Sequence, residues 1–211
     1  MSETVDYNSV VAMLQTAAGK IKENRDHLSQ LDSATGDGDH GTAVAKVADA
    51  INATIEKDES KELKKLLNDI GWAAMSTDAG STSPLYGSLF MGMSDAVPEE
   101  DAIDCQAFAA ILESGIAKLR KNTKAEVGDK TMIDAIVPAM AAIRSAADAG
   151  KNILDALTDG SEAAAKGAET TKEMQATFGR AKNIGERAIG HIDPGAASMA
   201  ILFDGLKEGL K

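Results

Sequence analysis

Three aspartates within eight residues form the part of the sequence with the strongest chemical character. Asp32, Asp37 and Asp39 lie in the run 31–41, which reads LDSATGDGDHG. Carboxylates this close together repel one another unless a cation compensates their charge. Oxygen atoms are the ligands that Mg²⁺ and Ca²⁺ prefer. The run therefore predicts a site for a hard divalent cation, although an acidic N-cap turn before the next helix explains the same residues equally well.

Two familiar motifs overlap this run, and neither fits it. Counting from Asp37, the sixth position of an EF-hand loop falls on Thr42, where that loop requires glycine. Gly36, Gly38 and Gly41 match the spacing of the dinucleotide-binding fingerprint, but no strand is predicted before them. Aspartates also stand where a pyrophosphate must approach bare backbone. The sequence favours phosphate held through a metal ion over a Rossmann-type site.

Two further regions combine residue types that bind anions. The segment 76–84 offers hydroxyl and backbone N–H groups just before a predicted helix, so it is either an anion site or a solvated connection. Basic residues gather in 124–132 and 179–195 of a chain that is otherwise acidic, which indicates a phosphate nearby. For Arg187, a structural ion pair with Glu186 or Asp193 is the alternative, and the sequence favours it for that residue. His40 and His191 lie close to aspartates in glycine-flanked loops, which favours a role in the site. With three histidines and one cysteine in the chain, a zinc site is not supported.

The elements that must position these loops are predicted to be helices throughout. Apolar residues recur at steps of three and four in almost every long segment. An aromatic content of 3% and abundant alanine favour closely packed helices over a sheet. We expect one all-α domain over residues 1–211 with no strand. Its eight helices are predicted at 10–28, 43–55, 62–75, from 84 onward, and at 104–120, 131–149, 153–177 and 194–210.

The overall charge and the apolar runs exclude two classes of partner. A net charge of -11, with 22 basic and 33 acidic residues, argues against a nucleic acid ligand. The longest apolar run, 135–143, contains Pro138 and falls far short of the ~20 residues that span a membrane. The acidic start MSETVD is unlike a signal peptide, and Cys105 alone allows no internal disulfide. We therefore expect a cytoplasmic protein that binds neither nucleic acid nor membrane.

The order of the motifs resembles a known family. After Asp32, the motifs GDGDHG at 36–41, PLYG at 84–87, GDKTMID at 128–134 and GERAIGHIDPG at 185–195 follow the order found in the nucleotide-binding L subunit of dihydroxyacetone kinase. The similarity extends over essentially the whole chain. It implies a closed bundle of eight antiparallel helices, with a nucleotide and two Mg²⁺ ions held by loops at one end. It also favours the metal interpretation of the first loop.

The resemblance implies roles for individual residues. The metal ligands would be Asp32, Asp37 and Asp39, with the ions bridging to the phosphates. No residue is assigned a catalytic role. The nucleotide, ADP or ATP, would contact residues from every loop of the site, namely His40, Gly41, Thr42, Ala43, Ser81, Thr82, Thr123, Met132, Arg180, Asp193, Pro194 and Gly195.

The second loop departs from the family pattern. The family carries GGASGPL where this chain has AGSTSPL at 79–85. Two glycines are replaced, by Ala79 and Ser83, and we expect a loss of backbone freedom where the terminal phosphate would lie.

The activity implied by the resemblance is phosphoryl transfer in a multi-subunit kinase. Phosphate would pass from Mg-bound ATP to a keto-triose or keto-tetrose held on a histidine of a separate K subunit. Either a phosphotransferase-system protein rephosphorylates bound ADP, or ATP exchanges as a substrate. A homodimer is a further candidate assembly. Two other interpretations stay open, which are a nucleotide-holding regulatory module without kinase activity and a calcium-binding structural bundle.

Overall fold

The periodic segments of the sequence fold into helices along almost the whole chain. The computed structural model describes residues 4–100 and 102–211. These ranges contain nine α-helices, and three short 3₁₀ segments lie in their connections at Arg120–Asn122, Thr171–Glu173 and Arg180–Ala188. The α-helices are α1 Tyr7–Glu23, α2 Arg25–Thr35, α3 His40–Lys57, α4 Leu63–Met75, α5 Thr82–Asp95, α6 Cys105–Leu119, α7 Ile133–Asp148, α8 Ile153–Thr170 and α9 Pro194–Gly209.

Eight of these helices close into a ring. Neighbours pack in the order α1, α9, α8, α7, α6, α5, α4, α3 and back to α1, while α2 lies outside this sequence against α3 and α9. Apolar side chains from all nine helices form one continuous core, in which Leu14, Ile70 and Phe90 are almost completely buried. The predicted all-α fold and closed eight-helix bundle are confirmed.

The first predicted helix is in fact two helices, so the expected total of eight was wrong by one. The helix breaks at Asn24, whose backbone angles are φ -95° and ψ 9°. The Asn24 side-chain amide donates to the Lys20 carbonyl oxygen at 2.8 Å. Asparagine competes in this way with the helical hydrogen-bond ladder, and the chain turns into α2 at this point.

Two further expectations about the elements were wrong. The chain contains a short antiparallel pair, β1 Thr4–Val5 with β2 Ile103–Asp104, where no strand was expected. Helix α8 was expected to reach residue 177, but it ends at Thr170. The Thr170 and Thr171 hydroxyls donate to the carbonyl oxygens of Gly167 and Ala168, which draws the chain out of the helix at its last turn.

The alternating direction of the helices gives the ring two distinct ends. At the loop end, α3, α5, α7 and α9 begin, and the chain connects its helices through 36–39, 76–81, 120–132 and 171–193. At the far end, the connections 58–62 and 149–152 and the β1–β2 pair hold the helices together. No helix in the described part of the chain is long and apolar enough to cross a membrane.

Candidate functional site

A cavity of about 390 Å³ opens at the loop end. Its walls come from all four loop-end connections and from the first turns of α3, α5, α7 and α9. The N-terminus of an α-helix carries a partial positive charge and N–H groups without intrahelical partners. Four such termini facing one cavity make it favourable for an anion.

The three aspartates predicted as metal ligands meet at the mouth of this cavity. One carboxylate oxygen from each of Asp32, Asp37 and Asp39 lies within 4.8 Å of the other two. Asp32 is buried, and the other two are exposed. Three carboxylates at this separation suit a hard divalent cation, so the donor set fits Mg²⁺ or Ca²⁺.

The alternative role of these aspartates as helix caps has only partial support. Asp39 occupies the N-cap position of α3, but its side chain makes no capping hydrogen bond. Asp32 instead reaches across from α2 and accepts the backbone N–H of His40 at 3.1 Å. The first loop therefore leaves the Asp37 and Asp39 carboxylates directed at the cavity rather than at the helix.

In the described ranges, Arg180 is the only residue that forms an ion pair with this cluster. Its guanidinium forms an ion pair with Asp37 and lies 3.8 Å from Asp39 Oδ2. Arg180 comes from the long connection before α9, so the pair joins two loops that are far apart in sequence. The contact places Arg180 beside the cavity, where the sequence predicted it, and partly compensates the charge of the carboxylates.

The second loop is held by hydrogen bonds to a buried serine. Ser83 Oγ accepts the Ala79 N–H at 3.2 Å and donates to the Thr77 carbonyl oxygen at 2.6 Å. Gly80 takes the left-handed region at φ +56°, whereas Ala79 and Ser83 have no positive φ. Ala79 and Ser83 therefore fit this loop without backbone strain, and the expected loss of backbone freedom relative to glycine stays a prediction. Ser81 and Thr82 line the cavity at the start of α5.

The carboxyl group of Asp193 closes the opposite wall. It caps α9 by accepting the Ala196 N–H at 2.7 Å, and Pro194 occupies the first turn. Burial raises the pKa of Asp193 to about 7, against the opposing effects of this capping bond and of the Lys130 charge. Asp193, Pro194 and Gly195 all line the cavity, as do Thr123 and Met132 on its third side.

His40 lies beneath the cavity in a small polar network that the sequence did not reveal. Its Nε2 is 3.0 Å from Ser198 Oγ, and the Tyr86 hydroxyl donates to the same oxygen at 3.4 Å. Burial lowers the pKa of His40, although the nearby Asp32 charge opposes the shift. The network joins α3, α5 and α9 under the site. Tyr86 could have been suspected from its place in the motif PLYG, but Ser198 has no local signal.

Most of the residues predicted for the site line the cavity, and two do not. Gly41 and Thr42 are absent from its lining, whereas His40, Ala43 and the other predicted residues contribute to it. A Cβ at position 41 would lie 1.9 Å from the Arg25 carbonyl oxygen, so Gly41 is required for the close approach of α3 to α2. His191 is exposed and away from the cavity, and only its carbonyl oxygen takes part nearby.

Lys130 and Phe178 are the principal lining residues that were not singled out. Lys130 is 1% exposed. Burial lowers the pKa of its ammonium group, while the charges of Asp193 and Asp134 oppose that shift. The signal for Lys130 was its position inside the motif GDKTMID, and the signal for Phe178 was a rare aromatic residue beside Gly179.

The chain is similar in sequence to known proteins over most of its length. Residues 34–208 match the family described as the DAK2 domain. The chain is 36% identical over 200 residues to the PEP-dependent dihydroxyacetone kinase 1, ADP-binding subunit DhaL, of Listeria innocua, covering 95% of each chain. It is 35% identical over 189 residues to the PTS-dependent dihydroxyacetone kinase, ADP-binding subunit DhaL, of Lactococcus lactis, covering 90% of each chain.

A solved structure has the same fold. The dihydroxyacetone kinase from C. freundii in complex with AMP-PNP and Mg²⁺ superposes with a TM-score of 0.74 at 26% identity. The match covers 94% of this chain and 33% of that one. The similarity therefore spans nearly all of the helices described above, in a much longer protein.

Proposed function

This chain belongs to the DAK2 domain family and is a subunit of a kinase, and on this premise we propose that it binds ADP or ATP in the loop-end cavity. It passes phosphate to a keto-triose or keto-tetrose that is held on a separate K subunit. The observation that carries the proposal is the convergence of four helix N-termini and three carboxylates on one cavity. Helix N-termini favour phosphate, and a carboxylate cluster requires a cation before a polyphosphate can approach it.

The metal ions would be held by Asp32, Asp37 and Asp39, and we propose two Mg²⁺ ions. When bound, Mg²⁺ neutralises negative charge on the phosphate oxygens during transfer. Arg180 can neutralise further charge from the side of the long connection, since its guanidinium already reaches Asp37. The bound AMP-PNP and Mg²⁺ named for the C. freundii kinase support this combination of ligands.

The chain itself positions the nucleotide. The start of α5, with Ser81 and Thr82, provides hydroxyl and N–H groups for the terminal phosphate, and Ser83 fixes the loop that carries them. The remaining contacts come from the other walls of the cavity, at His40, Ala43, Thr123, Met132, Asp193, Pro194 and Gly195. Gly41 and Thr42 would act indirectly, by setting the path of α3.

The partners follow from the chemistry that these residues lack. The His40 ring is engaged with Ser198, and burial disfavours its charged form, so it is a poor base for a sugar hydroxyl. A separate subunit would supply the sugar site and the base. The PEP-dependent and PTS-dependent relatives support a phosphotransferase-system protein as the phosphoryl donor to bound ADP. Homodimer formation and a cytoplasmic location stay predictions.

Reconstitution tests the proposal. The chain with Mg²⁺ and ATP should not phosphorylate dihydroxyacetone, and addition of a K subunit and a suitable donor should restore activity. Calorimetry should detect ADP binding in Mg²⁺ and its loss in EDTA, because the carboxylates then repel the nucleotide. Nucleotide binding without transfer in the complete system would favour a regulatory module. Ca²⁺ binding without any nucleotide affinity would favour a structural bundle, and ketose phosphorylation by the chain alone would overturn the two-subunit mechanism.

A further inference from the structure

Residues 172–192 form a loop whose two ends meet at a narrow neck. The Gly190 N–H donates to the Lys172 carbonyl oxygen at 2.7 Å. One residue outside each end, the Asp193 N–H donates to Thr171 Oγ1 at 2.8 Å. These two bonds tie the ends of the 21-residue loop together, as in the shorter Ω-loops that are frequently functional in other proteins. Between the ends, 178–181 lines the cavity.

Lys130 closes this neck from the adjoining connection 120–132. Its ammonium group donates hydrogen bonds to the carbonyl oxygens of Thr171 and His191, one at each end of the loop. Lys130 is 1% exposed and Thr171 is fully buried. A buried ammonium group is tolerated only where acceptors satisfy it, so the two carbonyl groups and the lysine hold one another in place.

The backbone of Lys130 gives independent support for a special position. Its φ is +60°, in the left-handed region that a side chain other than glycine rarely adopts. Such a conformation persists when the surroundings impose it, and it occurs preferentially at functional sites. The turn at Lys130 directs the long side chain inward to the neck rather than to solvent.

The preceding residue fastens the middle of the same loop. The Asp129 carbonyl oxygen accepts the Thr177 N–H at 3.3 Å, and its carboxylate accepts the Thr177 hydroxyl. Thr177 immediately precedes the segment that lines the cavity. Residues 129–130 therefore attach the 172–192 loop at its beginning, its middle and its end.

We propose that Lys130 is a positioning residue that holds the neck of the 172–192 loop closed and thereby slows the release of bound nucleotide. The inference rests on the proposed function, since it takes the cavity ligand to be ADP or ATP. With the neck closed, Phe178 and Arg180 stay against the cavity. With the neck loosened, their contacts with the ligand are lost for part of the time. Loss of contacts in a bound complex appears mainly in the dissociation rate.

The test compares Lys130→Met with Lys182→Met. The first variant keeps the length and apolar stem of the side chain but removes the ammonium group. The second makes the same change at an exposed lysine of the same loop that does not line the cavity. We expect Lys130→Met to release a fluorescent ADP analogue from its Mg²⁺ complex at least tenfold faster, with the association rate within about threefold. Lys182→Met should match the wild type in both rates.

A second readout needs no nucleotide. In the unliganded chain, the amide hydrogens of Gly190 and Asp193 should exchange at least tenfold faster in Lys130→Met, while those in the middle of α5 stay unchanged. Thr171→Val, which removes the side-chain acceptor for the Asp193 N–H, should shift both readouts in the same direction and carries the test if Lys130→Met does not fold. Unchanged release and exchange in the folded variants would overturn the inference. If wild-type protein binds no ADP, the proposed function fails, and exchange alone then decides whether Lys130 holds the neck.

Discussion

The two ends of the helix ring differ in whether the N-cap side chains of their helices make capping hydrogen bonds. At the far end, α1, α6 and α8 begin with Asp6, Asp104 and Asn152, whose side chains accept backbone N–H groups of the first turn at 2.8 to 3.0 Å. At the loop end, the N-cap residues of α3, α5 and α7 are Asp39, Ser81 and Met132. Within the described ranges, none of these three side chains makes a capping bond.

This difference separates stability from binding. A side-chain cap satisfies N–H groups that the helix itself leaves without partners, and it stabilises the fold. At the start of α3 and of α7 a neighbouring side chain takes one of these groups, because Asp32 accepts the His40 N–H and Thr131 Oγ1 accepts the Ile133 N–H. The start of α5 has no such side-chain partner in the described ranges, so its N–H groups are the most available to a ligand. The division has one exception at each end, because Asp193 caps α9 at the loop end and Glu62 makes no capping bond at the start of α4. Of the four helices that begin at the cavity, α9 is the one in the described ranges whose own N-cap side chain accepts a first-turn N–H group, and that side chain is the Asp193 carboxyl group with the raised pKa.

The largest expected effect comes from breaking the carboxylate cluster of the loop end. Asp37→Asn removes one ligand charge at nearly constant size, so affinity for ADP in Mg²⁺ should fall about 100-fold or more. The free energy of unfolding should change by less than about 0.5 kcal/mol, because the Asp37–Arg180 ion pair is exposed. Calorimetry measures the affinity, and urea unfolding measures the stability.

A matched control lies on the outer surface of α3. Asp49 is exposed and pairs with Lys22, so Asp49→Asn makes the same chemical change away from the cavity. ADP affinity in this variant should equal that of the wild type. An equal loss of affinity in both variants, or none in Asp37→Asn, would contradict a ligand role for Asp37.

Much of the fold was predictable because it depends on a repeating pattern. Each long helix packs against its neighbours in the ring through a stripe of apolar residues at steps of three and four. Such a stripe can be recognised from the local sequence alone. The break at Asn24 was missed, since it depends on one side chain bonding to a backbone carbonyl within a continuous stripe. The β1–β2 pair was missed because two residues per strand are too few to show an alternation.

The site divides in the same way between local and distant signals. Asp32, Asp37 and Asp39 lie within one short run, so their clustering could be read directly from the sequence. Lys130 donates hydrogen bonds to Thr171 and His191, which are 41 and 61 residues away in the sequence. No local sequence pattern predicts contacts over such separations. A fold has to bring these residues together before their relation is visible.

Two carboxyl groups, one at each end, should make opposite contributions to the pH dependence of stability. Asp193 has a pKa of about 7 in the folded chain and an ordinary value near 3.8 when unfolded. Between these values the folded state binds more protons, so its contribution to stability falls as pH rises. Asp193→Asn removes this slope and keeps a capping oxygen. Its stability relative to the wild type should rise by about 3 kcal/mol from pH 4.5 to 7.5, measured by urea unfolding.

The far end provides the control of opposite sign. Burial alone would raise the pKa of Asp58, but hydrogen bonds from Tyr7 and Ser60 outweigh it and lower the pKa to about 2. The stability that Asp58 contributes is therefore present above pH 4 and is lost as pH falls towards 2. Asp58→Asn should be destabilised by about 1 kcal/mol at pH 7 and by less at pH 3. For Asp193, the contradicting outcome is a difference in unfolding free energy between wild type and Asp193→Asn that stays constant from pH 4.5 to 7.5, because the pKa of Asp193 would then not be raised.

The smallest effect tests the difference between the caps directly. Asp104→Ala removes the oxygen that accepts the Ala107 N–H at 2.8 Å, so the chain should lose about 1 kcal/mol of unfolding free energy with no change in ADP affinity. Ser81→Ala removes a side chain that makes no capping bond at α5, so its unfolding free energy should change by less than about 0.3 kcal/mol. Its affinity for ADP or ATP should fall instead, by up to about tenfold, because the hydroxyl lies in the cavity lining beside the start of α5. Urea unfolding and calorimetry on both variants separate the two quantities. Equal losses of stability at the two ends would mean that the first turn of α5 is capped in solution, and the loop end would then offer one fewer terminus to the phosphate.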